Sequence, residues 1–205
     1  MITDPYTPER SGYAPIEEAY DIVIVSSDND DFHCRADLIP GEPIVINALT
    51  LARTKETQVE KEIRFEAIEA MEKFDHPDHE ADQNGMYRFE VDGLQIGHMG
   101  DVGNPLTDQQ MAFFEGLDIL LALTGGIPTI ELDDLMDVIH QVQPKIIIPM
   151  HFRTLTYRPR NTFWIESFLS LFDPEDVDFA FGCEVEFKDK IDSSGSRVLV
   201  LDYCR

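Results

Sequence analysis

The chain has 205 residues, 43% hydrophobic and 27% charged, the composition of one compact globular domain rather than a disordered tail. Sixteen Lys and Arg against forty Asp and Glu leave a formal charge of −24, which argues against a surface built to follow nucleic-acid phosphates or anionic lipid. Cys34, Cys183 and Cys204 are odd in number, widely spaced and without a CxxC pair, so neither a disulfide framework nor a cysteine zinc site is indicated and a reducing cytoplasm is expected.

No run approaches the ~18 apolar residues of a membrane span, and Met1-Ile2-Thr3-Asp4-Pro5 lacks the basic and apolar start of a secretory signal. The first strong element is Tyr20-Asp21-Ile22-Val23-Ile24-Val25, a β-branched strand that delivers the polar loop Ser26 to Asp31. Pro43 to Ile46 forms a second strand, followed by a helical turn over Asn47 to Arg53. Ile63 to Met71 is ambiguous: Ile63, Phe65 and Ala67 alternate as in a strand, which is preferred, while Glu66, Glu69 and Ala70 suit a helix. Met86 to Gly97 alternates on both sides of Asp92-Gly93, the pattern of a tight hairpin that ends at His98-Met99-Gly100-Asp101.

Thr107 is the expected N-cap of a helix over Asp108 to Glu115, and Leu117 to Leu123 is a buried strand stopped by Gly125-Gly126. Apolar residues at 132, 135, 138, 139 and 142 have helical spacing, and Pro144 ends that helix before the strand Lys145 to Met150, which presents His151. Phe163 to Leu171 is read as a helix with Trp164, Ile165, Phe168 and Leu169 on its apolar face. Val185 to Phe187 and Arg197 to Tyr203 close the chain as two strands around a Ser-Ser-Gly turn. Alternating strands and helices without a linker predict a single α/β domain over residues 1–205.

Three polar clusters, Ser26 to His33, His98 to Asp101, and His151, each follow a strand. Side chains at the C-terminal ends of neighbouring strands converge on one rim of a sheet, the usual place for an α/β site. Asp31, Asp101 and His151 would supply two carboxylates and an imidazole, a ligand set suited to zinc, manganese or iron.

Asp4-Pro5-Tyr6, the strand and loop Ile22 to Phe32, Gly97 to Asp101, Gly125-Gly126-Ile127-Pro128-Thr129-Ile130 and Lys145 to Thr154 together resemble the metallo-beta-lactamase-fold hydrolases, in the branch of the ascorbate-6-phosphate lactonase. The resemblance implies an αββα sandwich with a metal cleft at one edge. The family's His-x-His-x-Asp-His loop corresponds to Ser27-Asp28-Asn29-Asp30-Asp31-Phe32, which keeps Asp31 alone. His33 lies one residue beyond and is a candidate displaced ligand. The family's next histidine falls in the region of Asp75-His76-Pro77-Asp78-His79, where His79 is preferred to His76 because Pro77 restricts the residue before it. Asp101 matches the bridging carboxylate and His151 the last histidine.

The expected metal set is therefore Asp31, His33, His79, Asp101 and His151, holding at most one divalent ion, or none. If one binds, Asp31 would orient or deprotonate the attacking water, and His98 and Arg153 would hold an anionic substrate group on a small ester, lactone or phosphoester. The alternative is a family member without catalysis that serves as a binding or interaction protein. Family members begin with a further strand pair ahead of the Asp-Pro segment, whereas this chain begins at Met1. The reading is thus a sheet lacking that pair, its edge covered by a partner or second copy, or a start that lies upstream.

Overall fold

In the computed structural model, which describes residues 1–28, 32–72, 83–187, 191 and 195–203, eleven strands form two sheets. The smaller holds β1 (Ile2–Thr3), β2 (Ile22–Val25) and β3 (Ile44–Asn47), all parallel, in the order β1-β2-β3. The larger contains β4 (Gln58–Glu60), β5 (Ile63–Ala70), β6 (Asn84–Val91), β7 (Leu94–His98), β8 (Ile119–Leu123), β9 (Ile146–Met150), β10 (Val177–Phe179) and β11 (Arg197–Val200), ordered β10-β11-β9-β8-β7-β6-β5-β4. Its first four strands pair antiparallel, and from β7 onward every pairing is parallel.

Strand alternation explains the layers. On β2, Ile22 and Ile24 point to one face and meet Ile46, Phe65, Tyr87 and Phe89 between the sheets, while Val23 and Val25 point the other way to Ile16 and Ile39. Helix α2 (Ala48–Thr54), capped by the Asn47 side chain on the Thr50 amide, extends that inner layer by packing on β5 and β6. Across the large sheet, Leu120, Ala122, Ile147 and Val198 meet Met111 of α3 (Asp108–Phe113), Leu135, Val138 and Ile139 of α4 (Leu132–Val142), and Phe168 of α5 (Ile165–Leu169). Burying a ring such as Phe65 or Phe168 completely contributes roughly 1.5–3 kcal/mol. The result is the expected αββα sandwich of metallo-beta-lactamase type, with short α1 (Pro8–Ser11) and the 3₁₀ turn Ala36–Leu38 on the small-sheet side.

The Asp92-Gly93 hairpin forms as expected, with φ of 52° and 78° at the two turn residues and Val91 opposite Leu94. Thr107 and Gln110 close a reciprocal capping box on α3. Two expectations fail at the C-terminal end. Trp164 is not on a buried helix face; it precedes α5, is exposed, and carries the Arg153 guanidinium 4.7 Å above its ring. Residues 185–187 are irregular, and the parallel partner of β11 is instead Val177–Phe179. That short strand follows the 3₁₀ turn Pro174–Asp176 and has too few residues for its alternation to stand out.

Candidate active site

The parallel pairing of β7, β8 and β9 brings their C-terminal ends to one rim, where His98, Thr124 and His151 emerge, and β2 delivers Ser26 to the same rim from the smaller sheet. Asp101 arrives by a sharp turn after β7. Gly100 takes φ 61° there, and a Cβ at that position would collide with the Asn84 amide and Ser26. Asn84 braces the turn: its Oδ1 accepts from the Asp101 amide at 2.9 Å and its Nδ2 donates to the Met99 carbonyl at 3.0 Å. His151 sits at φ 58°, and its carbonyl presses so close to Gly125 that no side chain fits there. Asp4, Cys34 and His151 are all non-glycine residues with positive φ at this rim, a concentration of backbone strain of the kind found at functional sites.

Two of the expected ligands, His33 and His151, fall within reach of a third, Asp101. Asp101 Oδ2 lies 3.3 Å from His33 Nε2, and Asp101 Oδ1 lies 3.6 Å from His151 Nε2, so one carboxylate is flanked by two imidazoles. Asp101 is 15% exposed and His151 24%. Burial pushes the Asp101 carboxyl up, but the facing His151 and the hydrogen-bonded His33 outweigh it and hold the group at about 2. His33 Nδ1 contacts Cys34 Sγ at 2.9 Å, and burial raises the Cys34 thiol, favouring its neutral form. Asp31, His76 and His79 lie outside the described residues.

His98 borders the cavity beside Asp101, but its ring is packed inward. Only 3% exposed, it stacks on Tyr87 with ring centroids 4.6 Å apart and accepts the Gly100 amide proton on Nδ1 at 2.9 Å. Burial lowers its pKa, so the neutral ring supports the Gly100 turn. Arg153 is also turned away: its guanidinium covers Trp164 and is not among the residues lining the cavity beside Asp101.

Two carboxylates absent from the expected set complete the rim. Glu72, 8% exposed, can place an oxygen within 4.8 Å of both His33 and Asp101 ligand atoms. It follows the end of β5, whose Ala70 pairs with Asn84, the residue that holds the Asp101 turn. Its position, two residues past Ala70, is set by the pairing of β5 with β6. Asp4 accepts from the Ser26 amide at 2.7 Å and from the Ser26 hydroxyl at 2.9 Å, fixing the start of the loop that carries His33.

This arrangement fits a divalent cation. Two ligands bonded at about 2.1 Å to a tetrahedral ion stand about 3.4 Å apart, close to the 3.3 and 3.6 Å observed about Asp101. Asp101 Oδ1 is buried with no hydrogen-bond donor among the described residues, a cost that a cation would remove.

A family profile described as "Beta-lactamase superfamily domain" matches residues 1–151, from the first strand to His151. The chain belongs to that superfamily. Its fold is that of the metallo-beta-lactamases: a candidate zinc-dependent hydrolase of the metallo-beta-lactamase superfamily from Thermotoga maritima superposes with a TM-score of 0.74 and 25% identity, covering 98% of this chain and 90% of that one. A UPF0173 metal-dependent hydrolase of Carboxydothermus hydrogenoformans is 34% identical over 68 residues, which span 33% of this chain and 30% of the relative. One from Thermoplasma acidophilum is 32% identical over 82 residues, 37% of each chain. These curated matches therefore span about a third of the relatives' length.

No helix among the described residues is long and apolar enough to cross a membrane.

Proposed function

We propose that this chain is a metal-dependent hydrolase with an altered centre that holds one divalent cation, zinc, manganese or iron, and acts on a small ester, lactone or phosphoester. The observation that supports this most is the Asp101 carboxylate, flanked by His33 and His151 and left with a buried, undonated oxygen. Asp101 and His151 would hold the cation, with His33 on the second oxygen of the same carboxylate and Glu72 close to both His33 and Asp101. The stoichiometry of one follows from Ser27 and Asn29, whose hydroxyl and amide are poor replacements for imidazole. A bound cation would supply Lewis acidity and an acidified water.

The chain's own residues do the positioning. Asn84 and Gly100 fix the carboxylate, neutral His98 holds the Gly100 amide, and Asp4 anchors the loop behind His33. With Asp101 ionised at any pH above about 2, the ligand field is ready without deprotonation of that group. The test is turnover of a panel of carboxylic esters, lactones and phosphoesters by protein reconstituted with each metal. The expected result is hydrolysis that a chelator abolishes and the same metal restores. Hydrolysis indifferent to chelation, or none with any metal bound stoichiometrically, contradicts the proposal.

A further inference from the structure

The cavity of about 440 Å³ beside Asp101 is large enough for a small molecule, and its lining is unusual for a phosphoesterase. No Lys or Arg is among the described residues that line it. The arginines closest in the fold are engaged elsewhere, Arg153 over Trp164 and Arg10 5.8 Å from the Phe32 ring centre. The charged side chains that do line it, besides histidines, are the carboxylates Asp4, Asp101 and Asp202.

The second feature is a relay of aromatic rings leading away from His151. Tyr157 lies 6.4 Å from the His151 ring, Tyr13 lies 6.1 Å from Tyr157, and Tyr203 and Tyr6 lie 5.8 and 5.7 Å from Tyr13. Two of the phenols are already committed, Tyr13 to the Thr154 hydroxyl at 2.9 Å and Tyr6 to the Ala14 carbonyl at 2.6 Å. Tyr13 and Tyr6 therefore offer ring surface rather than free hydroxyls, and Tyr203 beside them is half exposed. Next to Tyr203, the Asp202 carboxylate makes no ion pair among the described residues.

Aromatic faces carry negative electrostatic potential; they attract an ammonium ion within about 6 Å and disfavour an anion. A carboxylate at the end of such a relay adds to the same preference. We infer that this cavity takes a substrate bearing an ammonium group, seated on Tyr13, Tyr157 and Tyr203 against Asp202, with the scissile ester or lactone directed toward Asp101 and His151. The inference rests on the hydrolase reading for the scissile bond, but the ammonium subsite is a property of the tyrosine wall and stands apart from the metal. It replaces the anionic substrate group expected from Arg153 and His98.

The experiment titrates the full chain, metal-free and zinc-loaded, with three probes of similar size: choline, its uncharged carbon isostere 3,3-dimethylbutanol, and the anion isethionate. Binding is read by chemical-shift perturbation. Choline is expected to bind about threefold more tightly than the uncharged isostere in both forms, since a cation–π contact at an exposed site is worth about that factor. Tyr203→Leu and Asp202→Asn, both at exposed positions, should each remove most of that preference while leaving zinc binding unchanged. Equal binding of choline and dimethylbutanol, or preference for isethionate in the metal-free protein, overturns the inference. If zinc fails to bind while the choline preference holds, the hydrolase reading falls and ammonium recognition stands; zinc binding without any choline preference has the opposite meaning.

Discussion

The two sides of the rim are built differently. On the large-sheet side, Asp101 and His151 follow regular strands and are locked by tight backbone packing: Asn84 and Gly100 around one, Gly125 against the carbonyl of the other. On the small-sheet side, His33 comes from an irregular loop held through side chains, by Asp4 on Ser26 and by the thiol of Cys34. Position is thus set by backbone packing on the large-sheet side and by side-chain contacts on the small-sheet side, and a loop residue can shift without disturbing the sheets.

The contrast sets an order of expected effects. Asp101→Ala removes the one group that both sides share, and zinc affinity measured by calorimetry should fall more than 100-fold with the fold intact by circular dichroism. A smaller loss than His33→Ala gives would make the loop side dominant and reverse the comparison. Asn84→Ala strips two hydrogen bonds from a fully buried site and leaves the Asp101 amide without its acceptor, so chemical denaturation should show a loss of about 2–3 kcal/mol. If stability is unchanged, the turn is not held as described.

Glu72→Gln keeps the shape but weakens a ligating oxygen beside Asp101 and His33, and should reduce zinc affinity about tenfold, well short of the Asp101 effect. An unchanged affinity would remove Glu72 from the site.

The smallest expected effect is on acid stability. His98 titrates below its usual 6.5 in the folded chain because burial disfavours the charged ring. The unfolded chain then takes up a proton that the folded one refuses, so this contribution is full above about pH 6.5 and is lost as pH falls through the lowered folded value. Asp101, at about 2 against an ordinary 3.8, adds a second decline between those values. Urea midpoints measured from pH 7 to 3 should drop in both intervals, with the upper drop absent in His98→Gln. A flat profile across pH 5 to 7 in the parent would contradict the burial argument.

Much of the fold was legible because local signals and tertiary demands agreed. Asp92-Gly93 has the residues that a positive-φ turn requires, α4 begins and ends within a residue of its apolar periodicity, and β5 keeps its strand alternation despite three glutamates among its exposed and intermediate positions and just beyond. Trp164 was misplaced because periodicity does not distinguish a buried ring from one covered by an arginine. In the site, Asp101 and His151 could be read from strand ends. Glu72 could not be read from residue type, since an acidic side chain after a strand is ordinarily solvated, and only the β5–β6 register places it beside Asp101. The tyrosine relay was equally hidden: Tyr13, Tyr157 and Tyr203 are separated by most of the chain and belong to no periodic element.

The most direct test of the shared carboxylate is anomalous diffraction at the zinc edge from crystals of the full chain soaked in zinc. A single strong peak within about 2.3 Å of an Asp101 carboxylate oxygen and of a nitrogen of His151 or His33 is the expected result. A zinc-rich crystal whose peaks lie elsewhere, with none on Asp101, would show that the two imidazoles flank that carboxylate for structural reasons only.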